Sequence, residues 1–158
     1  MADTDWVLLA YRLPREPSTP RIAVWRKLRR LGAVQLVDGL VALPLDPATT
    51  EAFDWLADEV VEAGGEAWTW RAAPGSKAQH QALRRRVSEA VVEEYQALTV
   101  GADAALAAPS RRTLERLRRE LRDIESRDRF RVKQGESARR AVERLARVLA
   151  AAGEQVAR

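Results

Sequence analysis

The apolar positions of residues 6–75 switch repeatedly between the period of a strand and that of a helix. "WVLLAY" (6–11) is a continuous apolar and aromatic run, the pattern of a strand buried on both faces, and Pro14 and Pro17 end it. Ser18 or Thr19 can cap the helix that follows, Pro20 suits its first turn, and Gly32 suits the position just past its end. On that helix Val24, Leu28 and Leu31 share one face with Trp25 at its edge, while Arg26, Arg29 and Arg30 point away. "AVQLVDGLVALPL" then places Asp38-Gly39 between two apolar runs, which predicts a two-residue hairpin because both turn positions need positive φ. The register puts Val37 opposite Leu40 and Leu36 opposite Val41. Val34, Leu36, Val41 and Leu43 then share one face, and Ala33, Gln35, Val37, Leu40 and Ala42 the other.

"DPATTEAFDWLADEVVEAGG" predicts a second helix with Phe53, Leu56, Val60 and Trp55 on its apolar stripe and Gly64-Gly65 as its stop. "EAWTWRAAP" alternates Trp68 and Trp70 with smaller residues, as a half-buried strand does. The order is β-α-β-β-α-β, an α+β ferredoxin-like domain over residues 1–75. Such a sheet carries both helices on one face and leaves the other open.

Residues 76–158 read as a three-helix extension packing on or next to the sheet. Ser76 and Gln79 have capping-box spacing, and Leu83, Val87, Ala90, Val91 and Leu98 recur at helical intervals. "GADAALAAPS" breaks the pattern, and Pro109-Ser110 starts a helix with a narrow seam of Leu114, Leu117, Leu121 and Ile124. After "RDRFRVKQGES", Ser137 can cap a last helix that turns Val142, Leu145 and Leu149 inward. One of these helices is expected to cover the open sheet face.

Charge refines this division. Residues 1–75 hold 8 Lys+Arg against 11 Asp+Glu, and residues 76–158 hold 19 against 12, net −3 and +7. A basic second half suggests an anionic partner. Arginine outnumbers lysine 24 to 3 in an alanine-rich chain, the pattern of a GC-rich genome, so arginine identity alone is weak evidence of selected guanidinium chemistry. Cysteine is absent, which excludes disulfides, thiolate metal sites and cysteine nucleophiles. "MADTDW" has no signal-peptide character and no apolar run reaches membrane-span length, so a cytoplasmic, soluble protein is expected, with no membrane partner.

Catalytic groups are scarce. The single histidine, His80, falls in a polar first helical turn and reads as a solvent-exposed bystander. Asp58-Glu59 and Glu93-Glu94 are adjacent on helices and diverge, and no phosphate loop or dinucleotide fingerprint occurs. Catalytic residues, metal ligands and cofactors are therefore not assigned, and the chain is not expected to be an enzyme. Anion-binding groups are plentiful. Arg84, Arg85 and Arg86 form one basic cluster, Arg112, Arg116 and Arg119 a second opposite the leucine seam, and Arg129, Arg131 and Lys133 a third that would form a basic edge if extended. Neutralising phosphate, such clusters give affinity for DNA without sequence reading. The competing account is internal pairing, with Glu115, Glu120 and Asp123 at i,i+4 spacing from these arginines. Arg12, Arg15 and Arg21 gather around the start of the first helix, where free N–H groups and the helix dipole favour an anion, although Glu16 can pair with them. Trp25, Trp55 and Trp68 read as core, and core packing is the expectation for Trp6 and Trp70 as well, although at strand ends an exposed indole could stack on a ligand.

The "Y-x-L-P-x-E-P-S-x-x-R" turn, "W-R-K-L-x-R-L-G-A" and the "L-x-D-G…L-P" hairpin resemble the N-terminal domain of the ChrB chromate-resistance regulatory family, strongly over residues 5–75 and more loosely beyond. The resemblance implies control of chromate-resistance genes, with chromate or a related oxyanion as the sensed anion. Because full-length members carry a further C-terminal domain, it also implies a separate chromate-resistance domain as partner, while the narrow seam over Leu114, Leu117, Leu121 and Ile124 equally suits a homodimer. The strand-turn-helix is also similar to the ferredoxin-like domain of PaaX-type repressors and, more distantly, to small CRISPR-associated endonucleases. Those nucleases place a metal-binding aspartate just after the first strand. The matching position here is Arg12, whose guanidinium cannot ligate Mg²⁺, so cleavage by that mechanism is disfavoured. The expectation is a regulatory protein that binds DNA through its helical half, or an oxyanion-sensing or protein-interaction module without DNA contact.

Overall fold

The computed structural model describes residues 6–156. Its elements are β1 (Trp6–Arg12), α1 (Thr19–Leu31), β2 (Val34–Val37), β3 (Leu40–Pro44), α2 (Pro47–Glu62), β4 (Glu66–Ala72), α3 (Lys77–Ala105), α4 (Arg111–Arg127) and α5 (Gln134–Val156). Packing divides the chain into two compact units, residues 1–87 and 88–158, and α3 contributes to both.

In the first unit the strands lie in the order β2-β3-β1-β4, antiparallel throughout, which is the ferredoxin-like arrangement expected from the sequence. Residues 7 and 9 of β1 and 41 and 43 of β3 turn toward the helices, where they meet Val24 and Leu28 of α1 and Phe53, Leu56 and Val60 of α2. Asp46 fixes the start of α2 through a reciprocal cap. Its carboxylate accepts from the Thr49 N–H at 2.8 Å, and the Asp46 N–H donates back to the Thr49 hydroxyl at 3.0 Å. The hairpin turn needs Gly39, which has φ +75°. A Cβ there would stand 2.6 Å from the Tyr11 carbonyl oxygen, closer than any side chain can approach.

The hairpin departs from the expected register. Val37 faces Leu40 as predicted, but Gln35 then faces Val41 and Val34 faces Ala42. Leu36 is the extra residue of a β-bulge, and one extra residue reverses the parity of every position before it. Val34 therefore belongs to the face of Ala42, not to that of Val41 and Leu43.

That second face is partly covered by the first turns of α3. Ser76 starts the helix, its hydroxyl accepting from the Gln79 N–H and its carbonyl from the His80 N–H. His80, Leu83 and Val87 are buried. The expectation of an exposed His80 is overturned: it is 5% exposed and accepts a hydrogen bond from the Trp6 indole. Its turn looks polar because its neighbours are, yet the residue itself lies on the buried stripe that Leu83 and Val87 continue.

Of the five tryptophans only Trp6 meets the core expectation. Trp6 is buried at 1% exposure, whereas Trp25, Trp55, Trp68 and Trp70 are 52, 65, 67 and 57% exposed. Alternation along β4 does separate two faces, but the small residue Ala67 takes the helix side and both indoles take the other.

The second unit has its own core, built from Val91, Tyr95, Leu98 and Ala102 of α3, Leu114, Leu117 and Ile124 of α4, and Ala138, Ala141, Val142 and Leu145 of α5. The predicted α4 seam is present, and Ser110 caps that helix through the Thr113 N–H. Two boundaries differ from expectation. α3 continues through "GADAA" to Ala105, because Ala102 is wholly buried and rewards the extra turns. α5 begins at Gln134, so Ser137 lies inside it, not at its cap.

Candidate functional site

On the sheet unit, Arg12 and Glu66 occupy facing positions of β1 and β4 and form an ion pair at 2.9 Å. Both side chains are mostly exposed, so the pair contributes about 0–1 kcal/mol. It carries the Arg12 guanidinium to the second sheet face. Arg21 lies elsewhere, in a cleft of about 680 Å³ lined by Tyr11, Ser18, Ile22, Trp25, Arg26 and Asp38 among others. Burial pushes the Tyr11 hydroxyl above its ordinary pKa, and the Arg21 charge opposes that shift. Ser18 is the N-cap residue of α1, but its hydroxyl makes no capping bond. Arg29 stacks its guanidinium over Trp25 at 5.0 Å. Arg15 is exposed and lines neither the Arg21 cleft nor the one beside Arg12. The structure thus brings Arg26 and Trp25 to Arg21, and separates Arg21 from Arg12. The sequence signal for that grouping is the helical spacing of Arg21, Ile22, Trp25 and Arg26, which hydropathy alone reads as a core edge and a solvated face.

Of the first basic cluster, Arg84 and Arg85 are exposed on α3, and the Arg86 guanidinium donates to the Gln35 carbonyl of the β2 edge. All three belong to the sheet unit by packing. Counted by units, residues 1–87 hold 12 Lys+Arg against 11 Asp+Glu and residues 88–158 hold 15 against 12, so the contrast seen across residue 75 largely disappears.

On α4, Arg112, Arg116 and Arg119 are all exposed opposite the buried seam. Arg116 pairs with Glu120 at 3.2 Å. Among the described residues Arg112 and Arg119 have no ion pair. Other arginines of this unit pair internally: Arg127 reaches both Glu94 oxygens at 2.8 and 2.6 Å, and Arg139–Glu125, Arg140–Glu136 and Arg144–Asp103 are further pairs. Hydrogen bonding to Glu94 raises the Arg127 pKa further above its ordinary value.

The third cluster is not an extended edge. Residues 128–133 form a turn between α4 and α5, with Arg131 at φ 50° and the Asp128 carboxylate accepting from the Val132 N–H. Aspartate at the end of α4 gathers the chain into a local loop and so forbids the alternation that "RFRVK" suggests. Arg129 is half-buried, whereas Arg131 and Lys133 are exposed. Arg131 lines a cleft of about 390 Å³ with Tyr95, Glu125, Asp128, Val132 and Arg139. In this cleft the Tyr95 hydroxyl donates to Asp128 at 3.3 Å, and burial followed by the Asp128 charge pushes its pKa up to about 12.

Among the described residues, no group of three or more His, Asp or Glu is placed to hold a metal ion, and no helix is long and apolar enough to cross a membrane.

Residues 21–158 match the family model described as Protein ChrB, N-terminal. Protein ChrB of Cupriavidus metallidurans (strain ATCC 43123 / DSM 2839 / NBRC 102507 / CH34) is 33% identical over 90 residues, which cover 55% of this chain and 28% of that protein. The match thus spans less than a third of that relative's length. No solved structure matches the chain.

Proposed function

Because the chain belongs to the ChrB N-terminal family, we propose that it is a regulatory protein of chromate resistance that binds DNA through exposed basic helical surfaces. The observation that carries the reading is the division of arginines. Arg116, Arg127, Arg139, Arg140 and Arg144 of the second unit pair with its own carboxylates, whereas Arg112 and Arg119 on α4, and Arg85 on α3 in the sheet unit, have no ion pair among the described residues. A guanidinium already held by a carboxylate gains little from a phosphate, whereas a solvated one neutralises it and releases a counterion condensed on the DNA. Arg84 and Arg86 neighbour Arg85 on α3, and Arg131 and Lys133 are exposed in the turn that follows α4. The protein acts in the cytoplasm and by binding, without catalysis or a cofactor. Arg12 stands where related nucleases carry an aspartate, and its guanidinium is engaged by Glu66.

Fluorescence anisotropy with the DNA upstream of its own gene, over a salt series, tests this. Binding that weakens linearly in log–log form with salt is expected. No binding at low salt, or binding indifferent to salt, overturns it.

A second reading is favoured by the cleft at α1. Tyr11, Arg21, Trp25 and Arg26 line one concave surface, so an oxyanion can be held there beside an uncapped helix start. Arg12 and Arg15 stand outside that cleft and can act only in the approach of the anion. Calorimetry with chromate and with sulfate decides the point: saturable heat with chromate that is lost in Arg21→Gln supports it, and negligible heat with both removes it.

A further inference from the structure

The two edges of the sheet are finished differently. The β2 edge is four residues long and bulged at Leu36, and its Gln35 carbonyl is occupied by the Arg86 guanidinium. Those are devices that stop a strand from pairing onward. The β4 edge has none of them. It is seven residues long, pairs with β1 in unbroken register from Glu66 to Ala72, and contains neither proline nor lysine. Every position on it is exposed or half-buried, and two of its residues are tryptophans with more than half their surface in water.

We propose that β4 is a homodimerisation edge, at which a second copy of this chain pairs antiparallel to form one continuous sheet across a twofold axis near Thr69. The sequence of the strand is complementary to itself in this register. With Thr69 on the axis, Trp68 faces Trp70 of the second copy, Ala67 faces Arg71 and Glu66 faces Ala72. Residues directly opposite share a face, so the indoles of both copies fall on the sheet side that already carries them and form an aromatic ladder. The charges do not oppose the pairing: Glu66 faces Ala72 and Arg71 faces Ala67, so no like charges stand opposite one another. Because the pairing is isologous and the β2 edges are blunted, it closes at two copies instead of propagating.

The chain has no cysteine, which permits a register-specific test in this whole chain. Facing residues on antiparallel strands have Cα atoms about 4.5–5.5 Å apart, within disulfide range. Thr69→Cys is expected to give a disulfide-linked dimer on mild oxidation, and Trp55→Cys, an exposed position on α2, is not. Sedimentation velocity is expected to show a dimer for the unsubstituted chain and a monomer with unchanged circular dichroism for Trp68→Glu/Trp70→Glu. A chain that stays monomeric at all concentrations overturns the proposal. So does a dimer that persists in the double variant, or one that Thr69→Cys fails to cross-link. Tryptophan quenching by a single-stranded oligonucleotide or an extended peptide, with the protein monomeric, would assign the edge to that other partner and overturn the proposal as well.

Discussion

The Trp6 indole N–H donates to Nδ1 of His80 across 3.3 Å, and the two rings meet edge to face with centroids 6.0 Å apart. To accept there, His80 must keep the lone pair on Nδ1 and hold its proton on Nε2. The contact ties the first strand to the first turn of α3, 74 residues away, and fixes where that helix crosses the sheet. Removing a buried acceptor costs its hydrogen bond and leaves both a donor and a cavity behind. His80→Ala should lower stability by about 1–3 kcal/mol in urea titrations followed by circular dichroism. Trp6→Phe, which keeps an aromatic ring and removes the donor, should cost less than His80→Ala. Equal stability of all three proteins would mean that the helix is held by Leu83 and Val87 alone.

The turn between α2 and β4 admits a side chain poorly. A Cβ on Gly65 would lie 2.3 Å from the Arg12 carbonyl oxygen and 3.0 Å from that of Val60. Backbone cannot swing aside as a side chain can, so Gly65→Ala has to move β4 away from β1. Gly39→Ala meets the Tyr11 carbonyl and must also adopt a positive φ. Each substitution should cost more than about 1 kcal/mol by thermal or urea unfolding. Gly153→Ala is the control, since a Cβ there meets nothing within 4 Å.

Local rules read the strand order of the first unit correctly, because Asp38-Gly39, Gly64-Gly65 and the prolines around residue 17 each enforce one turn regardless of context. The bulge at Leu36 lies beyond them: it exchanges one apolar residue for another, and hydropathy cannot register which is skipped. The tryptophans fail for a related reason. Period-two alternation along β4 says that Trp68 and Trp70 share a face, but which face α2 covers is decided by Ala67 packing under the helix. His80 escapes them because polar neighbours hide its place on the Leu83–Val87 stripe. Candidate anion residues are found by type, yet their grouping depends on strand parity: Tyr11 carries its surroundings to the helix side and Arg12 to the other.

Tyr95 makes the second unit sensitive to alkali. Its pKa in the folded protein is raised, to about 12 from an ordinary 10.0, first by burial and then by the Asp128 carboxylate beside its hydroxyl. A raised folded pKa means that the neutral form is favoured by folding. The stability it contributes is complete below about pH 10 and is lost as pH rises from there toward 12, because the unfolded chain releases the proton first. Urea midpoints measured between about pH 9 and 12 should therefore fall, and Tyr95→Phe should flatten that fall while losing the Asp128 bond. Ultraviolet titration of phenolate should correspondingly show Tyr95 ionising only near unfolding. A Tyr95 that titrates near its ordinary pKa with no loss of structure would contradict this account.

The division between paired and unpaired arginines makes a separable prediction on α4 and α5. Arg112 and Arg119 have no ion pair among the described residues, whereas Arg140 is held by Glu136 on the same helix at 2.6 Å. All three are exposed, so glutamine at any of them should leave stability within about 0.5 kcal/mol. Their effects on DNA binding should differ. If α4 meets the phosphates, Arg112→Gln/Arg119→Gln should weaken binding to specific and unrelated duplexes alike and reduce the salt slope by about 2, one for each phosphate no longer neutralised. Arg140→Gln should change neither, since it removes a cation whose charge is already answered by a neighbouring carboxylate. Equal weakening by both variants would mean that binding follows net charge alone, and weakening confined to Arg85→Gln would move the interface to the sheet unit.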